Sequence, residues 1–404
     1  MNRTFEKNDD DIVIVAGART AIGRFGGSLK DVSAIDLGAT VVAEAVERAG
    51  IDPAEVDELV VGQVGGWGPN GFVARAVGLK AGLPDETCAY SVNRQCGSGL
   101  QAIVEAVMEI RCGASEVVVA GGTENLSQLP YYVTDARWGA RMGHKRFEDG
   151  VIDILTWPLD ESHNGVTAEN VAREFNVTRE EQDEFAARSQ QRAVRAVADG
   201  VFADEIVAVN VPGRKGAVTV VDTDENPRDG VTAEGLARLK PCFVFDGTGT
   251  VTAANSSSLN DAAAAVVVMT RAKAAELGCE PMATIRGWAV AGYDAALMGY
   301  SPFLSTKKLS EQLDIDPAEV GFFELNEAFA SQAVAVSRDL GLDPERVNVY
   351  GGGISLGHPI GATGAVLALK CAYELGRRHP EKGDAMVSMC IGGGQGISMY
   401  FTAG

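Results

Sequence analysis

Two cysteines and one histidine stand in glycine-rich turns, where their side chains could take part in covalent chemistry. Cys96 opens the run Cys-Gly-Ser-Gly, His358 lies in Gly-His-Pro, and Cys390 precedes Ile-Gly-Gly-Gly. A thiol is nucleophilic as its thiolate, and a helix N-terminus lowers the pKa of a thiol. Glycines beside it allow close approach of a substrate and leave backbone amides free to bind an oxyanion. Taken singly, each motif also fits an ordinary structural role.

A fourth polar residue, Asn326, begins the run Asn-Glu-Ala-Phe at a predicted junction between a strand and a helix. Asparagine at such a junction is commonly a helix N-cap. The glycines after Cys390 are not a phosphate loop, because no Gly-Lys-Ser or Gly-Lys-Thr follows them.

The net charge of the protein limits the classes of ligand that it can bind. The 404 residues include 35 basic and 55 acidic residues, which gives a net charge of −20. Such a surface repels phosphate backbones and anionic lipids, so binding to nucleic acid or membranes is disfavoured. An anionic ligand would need local cations. The acidic surface fits either a protein kept soluble in concentrated salt or an acidic mesophilic enzyme.

Cysteine usage and hydropathy indicate a cytoplasmic protein. The seven cysteines are odd in number and form no Cys-x-x-Cys pair, so neither a disulfide framework nor a zinc or other metal site is expected. Residues 1–11 have no apolar core, so they do not form a secretory signal. The longest apolar run, 262–269, is too short to cross a bilayer.

Strands alternate with helices in the first third of the chain. This alternation predicts an α/β protein with a mostly parallel sheet. The strands are predicted at 11–17, 59–62, 87–92 and 116–122, and the helices at 33–49, 70–81 and 97–111.

The pattern changes between residues 125 and 257, which read as an insertion that decorates the sheet. Helices are predicted there at 167–174 and 179–199, and short strands at 206–211 and 217–221.

A repeat relates the two ends of the chain. The run Ile-Asp-Pro-Ala-Glu-Val occurs at 51–56 and again at 315–320, each time before an apolar strand. Cys96 and His358 follow the two copies at nearly equal distances, and each opens a long apolar helix. We infer two homologous α/β halves that contribute equivalent edges to one shared site.

Together the four motifs resemble the active-site motifs of the thiolases, the acetyl-CoA acetyltransferases. The resemblance extends from about residue 11 to the C-terminus, and the order and spacing of the motifs also match. It implies the thiolase fold: two α/β halves packed in αβαβα layers. The expected divisions are an N-terminal half at 1–126, completed by about 258–281, an inserted loop domain at 127–257, and a C-terminal half at 282–404.

The resemblance also implies roles for the motif residues. Cys96 would take the acyl group from one acyl-CoA after activation by His358, and Cys390 would remove the α-proton of a second acetyl-CoA. His358 and a water held by Asn326 would stabilise the enolate, and the backbone amides of Cys96 and Gly392 would bind the acyl oxygen. The expected reaction is condensation of two acetyl-CoA, or the reverse thiolysis of 3-ketoacyl-CoA.

The resemblance further places coenzyme A on the inserted segment, with CoA thioesters as substrates and no cofactor. The family assembles dimers and tetramers, so a homo-oligomer is expected. Asn164 stands where acetoacetyl-specific members commonly carry Met, which leaves the acyl chain length open. The expected CoA contacts are Arg228, Arg214, Lys215, Ser257 and His163.

Two alternatives remain. A β-ketoacyl synthase shares the fold and a nucleophilic cysteine but uses two histidines, or a histidine and an asparagine, with it; Cys390 argues against that assignment. A catalytically weak subunit that channels acyl-CoA within a multienzyme complex is the alternative from another class. The intact set of Cys96, His358 and Cys390 argues against it. Neither the direction of the reaction in the cell nor the number of subunits follows from the sequence.

Overall fold

The computed structural model describes residues 5–404. Residues 1–4, part of the segment interpreted above as lacking a secretory signal, lie outside the described residues. Between residues 5 and 404, no helix is both long enough and apolar enough to cross a membrane.

The strands form one large sheet and two small hairpins. The order in the large sheet is β4-β3-β5-β10-β1-β11-β14-β13-β12, with β2 paired to β10. The hairpins pair β6 with β7 and β8 with β9. The strands are β1 (Ile12–Arg19), β2 (Gly23–Arg24), β3 (Glu58–Gly62), β4 (Cys88–Val92), β5 (Val117–Asn125), β6 (Tyr131–Tyr132), β7 (Glu148–Asp149), β8 (Val209–Pro212), β9 (Val218–Val221), β10 (Asn260–Thr270), β11 (Ala283–Gly292), β12 (Phe322–Leu325), β13 (Asp384–Ile391) and β14 (Gln395–Ala403).

The helices pack on both faces of this sheet and between its two parts. They are α1 (Ala34–Ala49), α2 (Val73–Lys80), α3 (Ser98–Cys112), α4 (Gly150–Leu155), α5 (Asn164–Glu174), α6 (Arg179–Ala198), α7 (Ala233–Leu236), α8 (Arg271–Leu277), α9 (Ser301–Leu313), α10 (Ala330–Asp339) and α11 (Ile360–Tyr373).

The core has three main parts, which define five layers. The large sheet has two parts: β4, β3, β5, β10 and β1 form the first, and β11, β14, β13 and β12 form the second. One apolar cluster packs α1 and α2 on the outer face of the first part, and another packs α9 and α10 on the outer face of the second. Between the two parts lie α3 and α11, whose side chains pack against strands of both. The expected αβαβα layering is confirmed.

The two parts of the sheet meet at a short antiparallel contact. Only Val13–Thr284 and Ile14–Ala283 pair between β1 and β11. The strand order β1-β10-β5-β3 on one side matches β11-β14-β13-β12 on the other. The duplicated architecture inferred from the sequence repeat is therefore visible in the sheet.

The repeated hexapeptide folds identically in both halves. Asp52 caps a short 3-10 turn by accepting the Ala54 N–H at 3.0 Å, and Asp316 accepts the Ala318 N–H at the same distance. Each turn leads into a strand, β3 or β12. The side chain of an Asp before Pro favours such a turn, so the sequence identity reflects a shared structure.

Glycines allow the two central helices to approach closely. A Cβ on Gly99 of α3 would lie 2.8 Å from the Ala365 nitrogen, and one on Gly364 of α11 would lie 2.3 Å from the Leu100 nitrogen. The backbones therefore pack directly together. This contact brings the N-termini of α3 and α11, which follow Cys96 and His358, to one place.

The large sheet is mixed, so the expectation of a mostly parallel sheet is wrong. The strand β3 pairs in parallel with β4 and β5, and β12 pairs in parallel with β13. However, β10 lies between β1 and β5 and runs antiparallel to both. Because β10 follows the insertion, the alternation in the first third of the chain gave no sign of it.

Most predicted helices and strands are confirmed, and the differences in their bounds have local causes. The helix expected at 70–81 is α-helical only in α2, because Pro69 and the positive φ of Gly68 favour the 3-10 turn Gly68–Phe72 before it. The helix expected at 167–174 begins earlier, as α5. The strand expected at 206–211 starts only at Val209, since Ile206 makes one bridge to Arg19.

Buried ion pairs fasten the inserted segment to both halves. Arg19 of β1 binds Glu205 and Asp224, each at 2.8 Å, and Arg378 after α11 also binds Glu205, at 2.7 Å. Arg19 and both carboxylates are almost completely buried. If the insertion moved away, these charges would be left buried without partners, which is costly. The ion pairs therefore favour the position of the insertion seen here.

Candidate active site

Cys96 lies in the turn between β4 and α3. Within this turn the Ser98 hydroxyl accepts the Arg94 N–H at 2.8 Å and donates to the Gln95 carbonyl at 2.7 Å. The Asn93 side chain accepts the Gln95 N–H at 3.0 Å. Gln95 adopts a φ of +47°, which few residues other than glycine take. The turn thereby places the Cys96 sulfur just before the first turn of α3.

The surroundings of the Cys96 thiol combine burial with two hydrogen-bond donors. Burial raises the pKa of Cys96 to about 11, against the opposing effect of the Gly392 and Cys96 backbone N–H groups. The thiol is therefore protonated at neutral pH and needs a base. The same two N–H groups are suited to bind a developing oxyanion.

The backbone of His358 is held from the first half of the chain. Its N–H donates to Asn260 Oδ1 at 2.8 Å. The preceding Gly357 has a φ of +116°, and a Cβ there would lie 2.6 Å from Asn260 Cγ. Only glycine fits this close, left-handed position, which explains the Gly-His-Pro motif.

The His358 ring is fixed in one tautomer. Its Nδ1 lies 2.6 Å from Thr363 Oγ1, and that hydroxyl donates to the Pro359 carbonyl at 3.0 Å. Because the hydroxyl hydrogen is used there, Nδ1 must donate and Nε2 carries the lone pair. Nε2 is buried without a partner among residues 5–404. Burial lowers the pKa of His358 to about 4, so the ring is a neutral base.

Cys390 is the penultimate residue of β13 and is completely buried. Burial, and next the neighbouring Cys96, raise the pKa of the Cys390 thiol far above its usual range. Both thiols are thus neutral in the resting protein. Cys96 therefore lies close enough to Cys390 to disfavour ionisation of the Cys390 thiol.

A cavity of about 430 Å³ brings these groups together. Five residues predicted from the sequence line it: Cys96, His163, Ser257, His358 and Cys390. The rest of its wall is mostly apolar and comes from the insertion, including its helix α4, and from the second half. These wall residues include Val151, Ile152, Leu155, Phe243, Met298, Phe329 and Ile360.

His163 and Ser257 lie on the wall contributed by the insertion and its end. His163 is the N-cap of α5, and its Nδ1 accepts the Gly165 N–H at 3.0 Å. Its ring stacks on Phe243 with 5.1 Å between centroids. Since Nδ1 accepts, the neutral ring carries its hydrogen on Nε2 and is a donor. The Ser257 N–H is bound by the Ala328 carbonyl.

Asn326 lies behind the His358 turn and does not line the large cavity. It is not a helix N-cap, since α10 starts only at Ala330. Neither polar atom of its carboxamide has a hydrogen-bond partner in the described part of the chain. The residue borders a small cavity of about 10 Å³, shared with Gly357, Pro359 and Thr363. That volume is roughly the size needed for one water molecule.

The cationic residues expected to bind CoA lie outside the large cavity. Arg228 is exposed, two residues after Asn226, whose carboxamide contacts the Ser258 hydroxyl of the cavity wall at 3.5 Å. Arg214 and Lys215 are exposed at the tip of the β8–β9 hairpin. The geometry thus connects Arg228 to the cavity wall through a neighbour. Neither Arg214 nor Lys215 has a comparable connection to the cavity wall among the described residues.

Several residues at the site escaped the sequence interpretation. Phe243 stood in no pattern, and Phe329 was noted only as the last residue of the Asn-Glu-Ala-Phe motif, without a role in the cavity wall. Glu124, which holds the His358 turn with Asn260, lay beyond the strand predicted at 116–122, and Asn260 was assigned no role. Polar residues at the end of an otherwise apolar strand were the available signal, because such groups are buried only with partners.

The fold and the site define the class of protein. Residues 12–272 match the family model described as "Thiolase, N-terminal domain", and residues 279–403 match "Thiolase, C-terminal domain". The chain belongs to the thiolase family.

Similar proteins include curated relatives of nearly the same length. The chain is 48% identical over 390 residues to the acetyl-CoA acetyltransferase of Pseudomonas aeruginosa, covering 96% of this chain and 98% of that protein. It is 47% identical over 392 residues to the beta-ketothiolase BktB of Cupriavidus necator, covering 97% and 98%.

The chain also superposes closely on solved structures. The acetyl-CoA acetyltransferase of Bacillus anthracis superposes with a TM-score of 0.94 at 43% identity, covering 98% of this chain and 100% of that one. Human mitochondrial 3-ketoacyl-CoA thiolase superposes with a TM-score of 0.93 at 37% identity, covering 98% and 99%.

Proposed function

We propose that this thiolase is an acetyl-CoA acetyltransferase. It condenses two acetyl-CoA into acetoacetyl-CoA and CoA, and in reverse it cleaves 3-ketoacyl-CoA with CoA. The observation that carries the proposal is the single cavity in which Cys96, His358 and Cys390 meet. The names of its relatives support the choice of substrate.

Acyl transfer begins with the neutral pair of Cys96 and His358. The lone pair on His358 Nε2 takes the thiol proton as the sulfur attacks the thioester carbonyl. Because the pKa of the thiol is about 11 and that of the ring about 4, ionisation in the empty site is unfavourable. The proton moves as the new bond forms, and the N–H groups of Cys96 and Gly392 stabilise the acyl oxyanion.

Condensation requires a second base, which we assign to Cys390. The departing CoA thiolate takes the Cys390 proton, which leaves a Cys390 thiolate beside protonated His358. The thiolate removes the α-proton of a second acetyl-CoA, and the resulting carbanion attacks the acyl-Cys96 carbonyl. The Cys96 sulfur leaves and recovers its proton from His358, so the three groups return to their starting states.

The enolate oxygen of the second substrate is stabilised by His358 Nε2–H and by a water on Asn326. The support for the water is the Asn326 carboxamide, which has no protein partner in residues 5–404 and borders the small cavity.

Coenzyme A carries phosphates, which the overall charge of −20 repels. We assign the nucleotide end to Arg228, Arg214 and Lys215 of the insertion. The pantetheine arm is assigned to Ser257 and His163, which line the cavity. Substrate enters as the CoA thioester, and no cofactor takes part in the assigned steps.

Homo-oligomer formation is part of the proposal. Large apolar side chains of the inserted segment 127–257 are exposed: Trp138 at 90%, Leu159 at 81% and Phe147 at 69%. Exposed apolar groups clustered in one segment mark interaction surfaces. A dimer or tetramer that covers them fits the dimers and tetramers expected from the family. The cytoplasm remains the predicted location, since all seven cysteines are free.

Steady-state thiolysis by the purified chain tests the proposal. We expect turnover of acetoacetyl-CoA, and a series of 3-ketoacyl-CoA substrates of increasing length measures the preference that the sequence leaves open. Folded protein that turns over none of them, and does not condense acetyl-CoA, would contradict the proposal and favour the channelling subunit.

A further inference from the structure

Glu124 is a buried carboxylate beside the site that the assigned steps do not use. It is the penultimate residue of β5 and is 0% exposed. Its carboxylate accepts three backbone N–H groups: Val64 at 3.1 Å and Gly361 at 2.9 Å on Oε2, and Gly65 at 3.0 Å on Oε1. Across the described chain it has no cationic partner within ion-pair distance.

The backbone around Glu124 is shaped to receive a carboxylate. A Cβ on Gly65 would lie 2.8 Å from Oε1, and one on Gly361 would lie 2.8 Å from Oε2. A glutamine could not accept all three N–H groups, because one of its two polar atoms is a donor. Burial raises the pKa of Glu124 to about 7. A buried acid bound only by neutral donors is costly, so packing alone does not account for it.

The three donors belong to both halves of the chain. Val64 and Gly65 follow β3 in the first half, whereas Gly361 lies in the first turn of α11, three residues after His358. On the neighbouring strand β10, Asn260 binds the His358 N–H. Two side chains of the first half therefore hold the two ends of the His358 turn.

We propose that Glu124 is a positioning residue that holds the His358 turn against Cys96 through the Gly361 N–H. It touches neither the substrate nor the reacting atoms. The inference rests on the proposed function, because it takes His358 to be the base for Cys96.

The charge of Glu124 provides a second measurable effect, on the reactivity of Cys96, which is opposite in direction to the expected loss of catalysis. Glu124 lies near enough to Cys96 to raise the pKa of that thiol. The other acid facing Glu124 is Asp261 of β10, which raises the pKa of Glu124 itself. Removing the Glu124 charge should make the Cys96 thiol easier to ionise, while loosening the His358 turn should slow catalysis.

The test compares Glu124→Gln and Glu124→Asp with the matched control Asp57→Asn. Asp57 accepts the Glu116 and Val117 N–H groups at the opposite end of β5, far along the strand from the site. The measurements are kcat and KM for thiolysis of acetoacetyl-CoA, and the rate at which iodoacetamide alkylates Cys96 at pH 8, followed on the Cys96 peptide by mass spectrometry.

For Glu124→Gln we expect kcat to fall about 10- to 100-fold with KM changed less than about threefold. Alkylation of Cys96 should become faster by about threefold or more, as removal of a nearby like charge predicts. Glu124→Asp keeps the charge but is too short to reach all three donors, so kcat should fall without faster alkylation. Asp57→Asn should leave both measurements within about twofold of the wild type.

The proposal is overturned if Glu124→Gln retains the wild-type kcat, or if it loses kcat with unchanged or slower alkylation of Cys96. Glu124→Asp decides the matter by the same kcat criterion if Glu124→Gln does not fold. The two proposals fail separately: an inactive wild-type protein contradicts the proposed function, whereas an active wild type with an equally active Glu124 variant contradicts only the role of Glu124.

Discussion

The turn that carries Cys96 and the turn that carries His358 occupy equivalent places in the two halves but are held differently. Bonds between neighbouring residues fix the Cys96 turn, with Ser98 bound to Arg94 and Gln95. The backbone of the His358 turn is held by Asn260 and Glu124, which belong to the other half. The position of the nucleophile is thus encoded locally, whereas the position of the base depends on the packing of the two halves.

The two turns also show that the backbone frame and the reactive side chain are set by different features of the sequence. Duplication gives both turns the same frame, a helix N-terminus at the contact of α3 and α11. The side chain at each position then decides its part: a thiol beside two N–H groups in one turn, and a neutral imidazole in the other. Substitutions in one turn at a time can therefore distinguish the two contributions.

The largest effect is expected from Cys96→Ser. Condensation and thiolysis should both fall by about 10³-fold or more, because a hydroxyl ionises far less readily than a thiol in the same turn. Steady-state assays in both directions measure this. The matched control is Cys242→Ser, since Cys242 lines the same cavity and has no assigned role; it should retain activity. Full activity of Cys96→Ser would show that Cys96 is not the nucleophile.

Cys390→Ala should separate the two half-reactions. Exchange of the acetyl-CoA α-protons with solvent, measured by NMR in D₂O, should fall about 10²- to 10⁴-fold because the carbon base is gone. Acetylation of Cys96 should persist, since His358 still takes the Cys96 proton and the departing CoA thiolate can be protonated by solvent. Cys112→Ala, at the far end of α3, is the control. Proton exchange at the wild-type rate in Cys390→Ala would show that another group is the carbon base.

Thr363→Val tests the part of the His358 turn that is held locally. The ring loses the acceptor of its Nδ1 hydrogen, so the productive tautomer is no longer fixed. A loss of about 1–2 kcal/mol corresponds to a kcat roughly 5- to 30-fold lower, with little change in KM. Thr363→Ser keeps the hydroxyl and should restore most of the activity. Equal losses in both variants would indicate that the methyl group matters and the hydroxyl does not.

Arg228→Ala concerns the insertion, which only the first half carries. The KM for CoA should rise about two- to tenfold with kcat nearly unchanged, because an exposed phosphate contact contributes about 0.5–1.5 kcal/mol of uniform binding. A short pantetheine thioester without the nucleotide should be affected less. Arg238→Ala, another exposed arginine of the insertion, is the control. If both substrates suffer equally, the nucleotide does not bind at Arg228.

Local patterns allowed much of the fold to be predicted. The Ser33 N-cap and the left-handed Gly50 bound α1 where the sequence placed it, and the repeated hexapeptide revealed the duplication. These features depend on neighbouring residues, so local propensities are enough to predict them from the sequence. The start of α5 was missed because His163, a residue outside the usual capping set, caps it with a ring nitrogen.

The site was predictable only where its residues stood in motifs. The glycine-rich flanks of Cys96, His358 and Cys390 marked them as candidates, and the resemblance to the thiolases gave them roles. One cavity joins the three side chains. Asn260 and Glu124 could not, since their partners lie 98 and 237 residues away along the chain. Contacts of that separation are set by tertiary packing and leave no local pattern.

The position of the acyl group on the protein tests directly whether Cys96 is the nucleophile. The chain is incubated with acetyl-CoA, quenched in acid, digested and analysed by peptide mass spectrometry. We expect one added acetyl group on the peptide that contains Cys96, absent from Cys96→Ser and present in Cys390→Ala. An acetyl group on the Cys390 or Cys242 peptide, with Cys96 unmodified, would contradict this expectation.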